Sequence, residues 1–516
     1  MASIRKIFKV SFMVLTPLMI IVLVCALHGK TILDLYLPCS LWNDEMMYYK
    51  LTEGVLKYGI PQGFFGYNES KALCLSFASW SPVLLLPWVA WGKLFGWTVI
   101  SPIICNVVMI GVTFGIITIA LRPKWGQLFL FLGGIVSCYQ FTRYLISCMP
   151  ETTCWSIVLI IFTIYIYDTR KPSDKLLVLS LVLISILVLM RPYHILLYFY
   201  PVYMLIKRNR KRTVAIILCI IITIGLYYFI SHYLSAPYFA TLYGANLSKA
   251  AEKGLLSGVW TIISELVNSF SKAIKLCYKS ISSGNVAGGI YLYTFILIII
   301  QLVYLIQEIR KKDNHNKVIL DLQLAIAMIG LVFAILLMYD VPVGARHLLA
   351  YSFAAVLVLT MTHLDQMNRN TVVSYILLMT FVAFVFYFKG RNDGFYNELP
   401  FKTSEFSTEL EQLKEQLSKN IIIDQDHSPS YSNTMIWVFS DNVNGVDTRV
   451  EFGQLYAIPE GMGLDLCYGQ YVLDNIDDIQ SRYIGTVPGG DIDILIKGLG
   501  KKVIAQNKYL VVYQMY

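Results

Sequence analysis

The chain has 516 residues, 56% hydrophobic and 15% charged, with a mean hydropathy of +0.60, a composition whose main solvent is lipid and which makes it a polytopic membrane protein. Its net charge of +9 does not point to nucleic acid, because the Lys and Arg residues stand in short clusters between apolar runs, where they encode membrane orientation. The 10 cysteines form no CxxC pair and have no His at ligand spacing, which excludes metal–thiolate and redox readings.

Arg5 and Lys6 precede an apolar run over 7–27 that is long and followed by no small-x-small cleavage site, so it reads as an uncleaved first span. Next comes Trp42-Asn43-Asp44-Glu45-Met46-Met47-Tyr48-Tyr49. Two carboxylates beside a membrane must be neutralised, solvated or used, which makes Asp44 and Glu45 a site hypothesis. Cys39 and Cys74 fall in the same loop and are expected as free thiols. Further apolar runs cover 84–97, 99–121, 128–141, 155–167, 176–190, 195–206, 214–230, 289–306, 318–338, 348–362 and 372–388.

The basic connectors are Arg5 to Lys9, Arg122 and Lys124, Arg170 to Lys175, Lys207 to Arg212, Arg310 to Lys312, and the one containing Arg369. If every run crossed the membrane, the connectors from Arg122 onward would lie opposite the N-terminus. If the Pro- and Gly-broken run over 81–97 stays at the interface, all six become cytoplasmic, as the positive-inside rule asks. The expected architecture is therefore an all-α polytopic membrane protein of about eleven spans plus interfacial helices, N-terminus inside and C-terminus outside. A first extracytoplasmic loop covers 28–98 and a long one 231–288. The same parity gathers Asp44, Glu45, Glu151, Arg191 and Arg346 on one extracytoplasmic face.

In order and on one side, the sequence then presents Asp44-Glu45, the aromatic and Pro-containing stretch from Trp80 to Trp88, Met149-Pro150-Glu151-Thr152, Met190-Arg191-Pro192, and Gly344-Ala345-Arg346-His347. With these residues the chain resembles the C-type (GT-C) multi-spanning glycosyltransferases, especially the lipid A aminoarabinose transferase and the protein O-mannosyltransferases. Where the second acid of that family is often Asp, Glu151 stands here. The resemblance covers most of the chain and implies transfer of a sugar from a polyprenyl-phosphate donor, by inverting displacement, to an extracytoplasmic glycolipid, cell-wall glycan or protein. The Ile-, Lys- and Tyr-rich composition suggests a bacterium and hence undecaprenyl phosphate as carrier.

Such transfer needs a carboxylate to take the acceptor's proton, and Asp44 is the candidate base. It also needs cations to hold the phosphodiester and the leaving polyprenyl phosphate, which suits Arg191 and Arg346, with Arg143 behind them. Glu45 and Glu151 either orient the acceptor or, with Asp44, hold a hard divalent cation such as Mg²⁺ or Mn²⁺. Structural readings stand beside these: acids at a helix start, Glu151 after Pro150 as helix-start chemistry, and snorkelling arginines. His194 and His347 are read as polar interface residues, and Trp42, Trp80 and Trp88 as part of interfacial aromatic belts rather than a sugar platform.

Residues 390–516 return to polar composition and predict a small extracytoplasmic α/β domain for acceptor recognition or lid support. A helix is expected over 401–417, with strands over 420–424, 434–439, 492–496 and 509–513. Asp424-Gln425-Asp426-His427 reads as a polar turn. Two alternatives share the lipid-phosphate chemistry: a cell-surface polysaccharide polymerase or ligase, and a lipid-linked glycan flippase. Against the flippase, the sequence shows no paired broken helices in corresponding halves.

Overall fold

A computed structural model describes residues 2–35, 43–59, 65–69, 81–233, 254–311, 315–363, 369–393, 401, 404–424, 431–459 and 462–516. The chain opens with α1 (Ala2–Leu27), followed by α2 (Asn43–Tyr58) and strand β1 (Phe65–Tyr67). After a 3-10 turn over Pro82–Leu85 come α3 (Leu86–Phe95), α4 (Ser101–Leu121), α5 (Trp125–Val136) and α6 (Tyr139–Leu145). The bundle continues through α7 (Glu151–Arg170), α8 (Asp174–Met190), α9 (Phe199–Arg208) and α10 (Thr213–Tyr233). It closes with α11 (Leu255–Ser283), α12 (Val286–Lys311), α13 (His315–Met338), α14 (Val341–His363) and α15 (Arg369–Lys389).

All eleven runs expected to span are helical, but among the described residues eight helices are long and apolar enough to cross a bilayer. The pair α5 and α6, bent by 78°, makes a ninth if counted as one span. The shortfall has local causes. α8 stops after 17 residues, and the run after Arg191-Pro192 begins as a 3-10 helix over Pro192–Tyr198 before α9, because proline forces the preceding residue out of the helical region.

The run over 81–97 is short, and α3 ends at Gly96, whose φ of 84° suits glycine. α1 and α4 pack antiparallel: Lys9 Nζ donates to the Pro123 carbonyl at 2.7 Å, while Val14 lies against Gly111 and Gly115. The chain between α1 and α4 thus returns to the end of the bundle it left.

The C-terminal region holds α16 (Ser404–Asn420), β2 (Thr434–Val438), β3 (Ser440–Val443), β4 (Val446–Arg449), β5 (Gly463–Cys467), α17 (Gly469–Asp474), β6 (Tyr483–Thr486), α18 (Asp491–Gly498), β7 (Lys502–Gln506) and β8 (Val511–Gln514). Six strands form one sheet in the order β1-β5-β2-β6-β8-β7, with β3 and β4 a separate hairpin. The β1–β5, β5–β2 and β2–β6 pairs are parallel, and β6–β8 and β8–β7 antiparallel. Its edge strand β1 comes from the loop after α2.

Two strand expectations are corrected. Residues 421–424 follow α16 without joining a ladder. Residues 492–496 lie in α18, where Ile492 and Ile496 are buried while Ile494 is 61% exposed, the four-residue spacing of a helix rather than the alternation of a strand.

One sheet face, with Met435, Trp437, Leu464 and Leu466, belongs to the same continuous apolar core as the bundle. Ile436, Ile484 and Val511 on the other face pack with Ile492 and Ile496 of α18. A hydrogen bond and a ring contact fix the docking on α2: Lys50 Nζ donates to the Ile458 carbonyl at 3.0 Å, and Tyr49 meets Tyr456 edge to face.

Candidate active site

Asp44 lies in the first turn of α2, and Glu151 opens α7; an acid is favoured at both places by the free N–H groups there. Arg191 is the residue at which α8 stops, extended at φ −151° because Pro192 follows, so its side chain leaves the helix surface. Arg346 sits in a 3-10 turn, Ala345–Leu348, inside α14. Three hundred residues of sequence thus converge on one end of the bundle.

Charges alternate along the cluster. Arg346 Nη2 donates to Asp44 Oδ2 at 2.8 Å and its Nε lies 3.6 Å from Glu151 Oε1. Arg191 Nη2 donates to the same Glu151 oxygen at 2.9 Å. Glu151 and Arg191 are buried, whereas the side chains of Asp44 and Arg346 are 31% and 17% exposed. The accessible part is therefore a carboxylate and a guanidinium in contact, backed by a second such pair out of solvent. Buried charges of this kind persist only when paired.

Sequence reasoning missed three neighbours. His347, expected at the interface, is buried, its Nδ1 facing Arg191 Nη1 and 3.2 Å from the Tyr193 hydroxyl. Tyr193 also accepts from Arg191 Nη1 at 3.2 Å. Tyr48, one turn beyond Asp44, is buried in the field of both arginines and both acids, and burial pushes its phenol above the ordinary value, keeping it a neutral donor. The available signals were adjacency: His347 follows Arg346 and Tyr193 follows Arg191-Pro192. His194, also expected at the interface, is buried against Tyr351, whose hydroxyl is 3.0 Å away.

Glu45 and Arg143 form a further buried contact. Both are buried; Glu45 Oε1 accepts from the Cys148 N–H at 3.1 Å and lies 3.8 Å from Arg143 Nη1, which donates to the Ile146 carbonyl at 3.0 Å. They fasten the start of α2 to the α6–α7 junction. Asp44 and Glu151 face guanidiniums, and Glu45 lies against a backbone amide and the Arg143 guanidinium. Among the described residues no group of three His, Cys, Asp or Glu is arranged to hold a metal.

Trp88 is buried, its indole N–H donating to Asn106 at 3.3 Å, while Trp42 and Trp80 lie outside the described residues. So do Cys39, Cys74 and residues 425–427; the eight described cysteines are free.

No protein-family profile matches the sequence, and no curated protein matches it. Solved structures do. ArnT from Cupriavidus metallidurans, an aminoarabinose transferase, superposes over 97% of this chain and 98% of its own in both its undecaprenyl phosphate complex (TM-score 0.50, 12% identity) and its apo state (TM-score 0.51, 11% identity). The chain shares that transferase's fold. Archaeal oligosaccharyltransferase AglB from Archaeoglobus fulgidus, in complex with an inhibitory peptide and a dolichol-phosphate, aligns with 92% of this chain and 69% of its own at TM-score 0.45 and 11% identity. The architecture here is a multi-pass helical bundle joined to a sheet-containing C-terminal region, with the charged cluster at one end of the bundle.

Proposed function

We propose that this chain is an integral-membrane glycosyltransferase that moves a sugar from a polyprenyl-phosphate donor to an acceptor on the extracytoplasmic side. The observation that carries the reading is the accessible Asp44–Arg346 contact backed by Glu151 and Arg191. The orientation follows from charge: Lys9 and the Arg122 connector meet at the opposite end, and clustered Lys and Arg favour the cytoplasm.

In this reading the donor's phosphodiester binds Arg346 and draws it from Asp44. The freed carboxylate accepts the acceptor's proton as the acceptor oxygen or nitrogen attacks the anomeric carbon. The bond from that carbon to the phosphate oxygen breaks, inverting the centre, and polyprenyl phosphate leaves with the bonding pair. Arg346 and Arg191 offset the charge that grows on it, while Glu151 holds the two guanidiniums together before donor arrives. The structural likeness to ArnT bound to undecaprenyl phosphate supports that class of carrier. Glu45 and Arg143 serve the reading by positioning α2.

The test is transfer of labelled sugar from a panel of polyprenyl-phosphate sugars by purified protein. Asp44→Asn is expected to lose about 10²-fold or more in turnover while still binding donor. An active Asp44→Asn would remove Asp44 as base. Donor left intact by the wild type would turn the reading toward a polymerase, ligase or flippase.

A further inference from the structure

The end of the bundle opposite the charged cluster holds a second constellation that this chemistry does not use. The first turns of α1 and the connector between α4 and α5 surround a cavity of about 960 Å³ lined by Arg5, Lys6, Lys9 and Arg122 with Phe8 and Trp125. These cations come from segments more than a hundred residues apart. Arg5, Lys6 and Arg122 are exposed and, among the described residues, no carboxylate lies within ion-pair distance of them. The connectors after α7 and α9 are unlike this: Asp168 and Asp174 there take up Arg208 and Arg212.

Below the cations lies an aromatic strip. Lys9 Nζ is 5.4 Å from the Trp125 ring centroid, Trp125 stacks on Phe129 and is met by Phe8 and Phe12, and Phe8 and Phe129 are exposed on the outside of the bundle. Arg122 caps α4 in the left-handed region at φ 49°, a conformation that glycine adopts without strain and arginine does not. The position therefore keeps a cation at a backbone cost.

We infer that this cavity binds the phosphate headgroup of an anionic membrane lipid, with Arg5, Lys6 and Arg122 on the phosphate and an acyl chain along Phe8, Trp125 and Phe129. Basic pockets between spanning helices recognise such headgroups through charge, while the adjoining apolar surface takes the chains. A bound lipid would tie α1 to the α4–α5 connector, where Lys9 to Pro123 is the direct hydrogen bond. The inference stands apart from the proposed transfer reaction. A free phosphate ion would use the same cations without the aromatic strip, and the experiment separates the two.

Full-length protein purified in neutral detergent is titrated with phosphatidylglycerol, phosphatidylcholine or inorganic phosphate, reading retained lipid by native mass spectrometry and the thermal midpoint. Phosphatidylglycerol is expected to be retained and to raise the midpoint by several degrees, and the other two to do neither. Lys6→Gln and Arg122→Gln should each cut retention several-fold; both leave Arg5, Lys9 and Lys124 in place to set orientation. Trp125→Leu, with every charge intact, should also weaken retention, whereas Lys272→Gln on the exposed face of α11 should not. Equal stabilisation by phosphatidylcholine, a full shift with phosphate alone, or unchanged retention in the cavity variants would overturn the inference.

Discussion

Arg346 and Arg143 carry the same charge under opposite constraints. Arg346 is partly exposed and shared between Asp44 and Glu151, whereas Arg143 is buried against Glu45 and the Ile146 carbonyl. Removing one partner of a buried pair leaves the other charge uncompensated, which costs about 3–5 kcal/mol. Arg143→Met is therefore expected to lower stability by that order, seen as a lower thermal midpoint in detergent. Arg346→Lys keeps the charge but loses the planar fork that matches a phosphodiester. It is expected to cut turnover at least tenfold with little change in midpoint, and equal stability losses in the two variants would contradict the division of roles. In the sequence, Asp44, Glu151, Arg191 and Arg346 were legible because a charge in an apolar chain needs a reason. Which charge faces which was not, since pairing depends on how α2, α7, α8 and α14 meet. Hydropathy alone gave His347 no role, because an uncharged imidazole at a span end fits an interface as well as a core.

Among the elements, α11 shows where apolar-run reading stops. Its Lys, Glu and Ser residues interrupt every apolar window, so 231–288 reads as a loop, yet Val259, Ile263, Val267, Phe270 and Ile274 recur at helical spacing. Lys272, Lys275 and Lys279 are exposed on this helix. α11 lies against α12 so closely that a Cβ on Gly288 would overlap the Leu276 carbonyl oxygen. Because the obstacle is backbone rather than a flexible side-chain tip, Gly288→Ala must separate the helices, with overpacking costs of about 1–3 kcal/mol. Limited proteolysis of the full-length protein in detergent should then cut faster within 255–283 than in the wild type. An unchanged cleavage rate would mean that α11 shifts without loosening. The bent α5–α6 pair and the 3-10 start before α9 were partly legible: Pro192 marks the second break, while nothing as plain as a proline marks the first.

Across the whole molecule, the expected boundary between 389 and 390 divides the sequence, whereas the sheet is built from both sides of it. β1 is three residues long, too short to show an alternation, so its capture by β5 could not be read from pattern. The residues after it complete the attachment: the Glu69 carboxylate accepts from the Gln480 and Ser481 N–H groups and the Ser481 hydroxyl, and Asn68 Oδ1 accepts from the Tyr468 N–H. In the middle of this seam is Asp465 of β5, paired with Gly66 on one side and Ile436 on the other. It is 3% exposed. Burial, aided by the nearby Glu69 charge, pushes its carboxyl up to about 7. Below about pH 4, the ordinary Asp value, folded and unfolded chains both hold the proton and the seam has its full stability. Between there and pH 7 only the folded chain holds it, so stability falls as pH rises, by at most about 1.4 kcal/mol per unit; above 7 both forms are ionised and the loss is complete. Hydrogen exchange of the full-length protein, corrected for the intrinsic pH dependence of exchange, should show protection over 463–467 falling from pH 5 to pH 8, and Asp465→Asn should flatten that trend. A wild type with level protection would mean that the carboxyl is hydrated where it sits. Because β1 follows α2, which carries Asp44, in the sequence, loosening the seam at high pH releases the strand next along the chain from the charged cluster's helix. Any alkaline fall in transfer that Asp465→Asn relieves would then originate in the sheet, and any that persists would belong to the cluster itself.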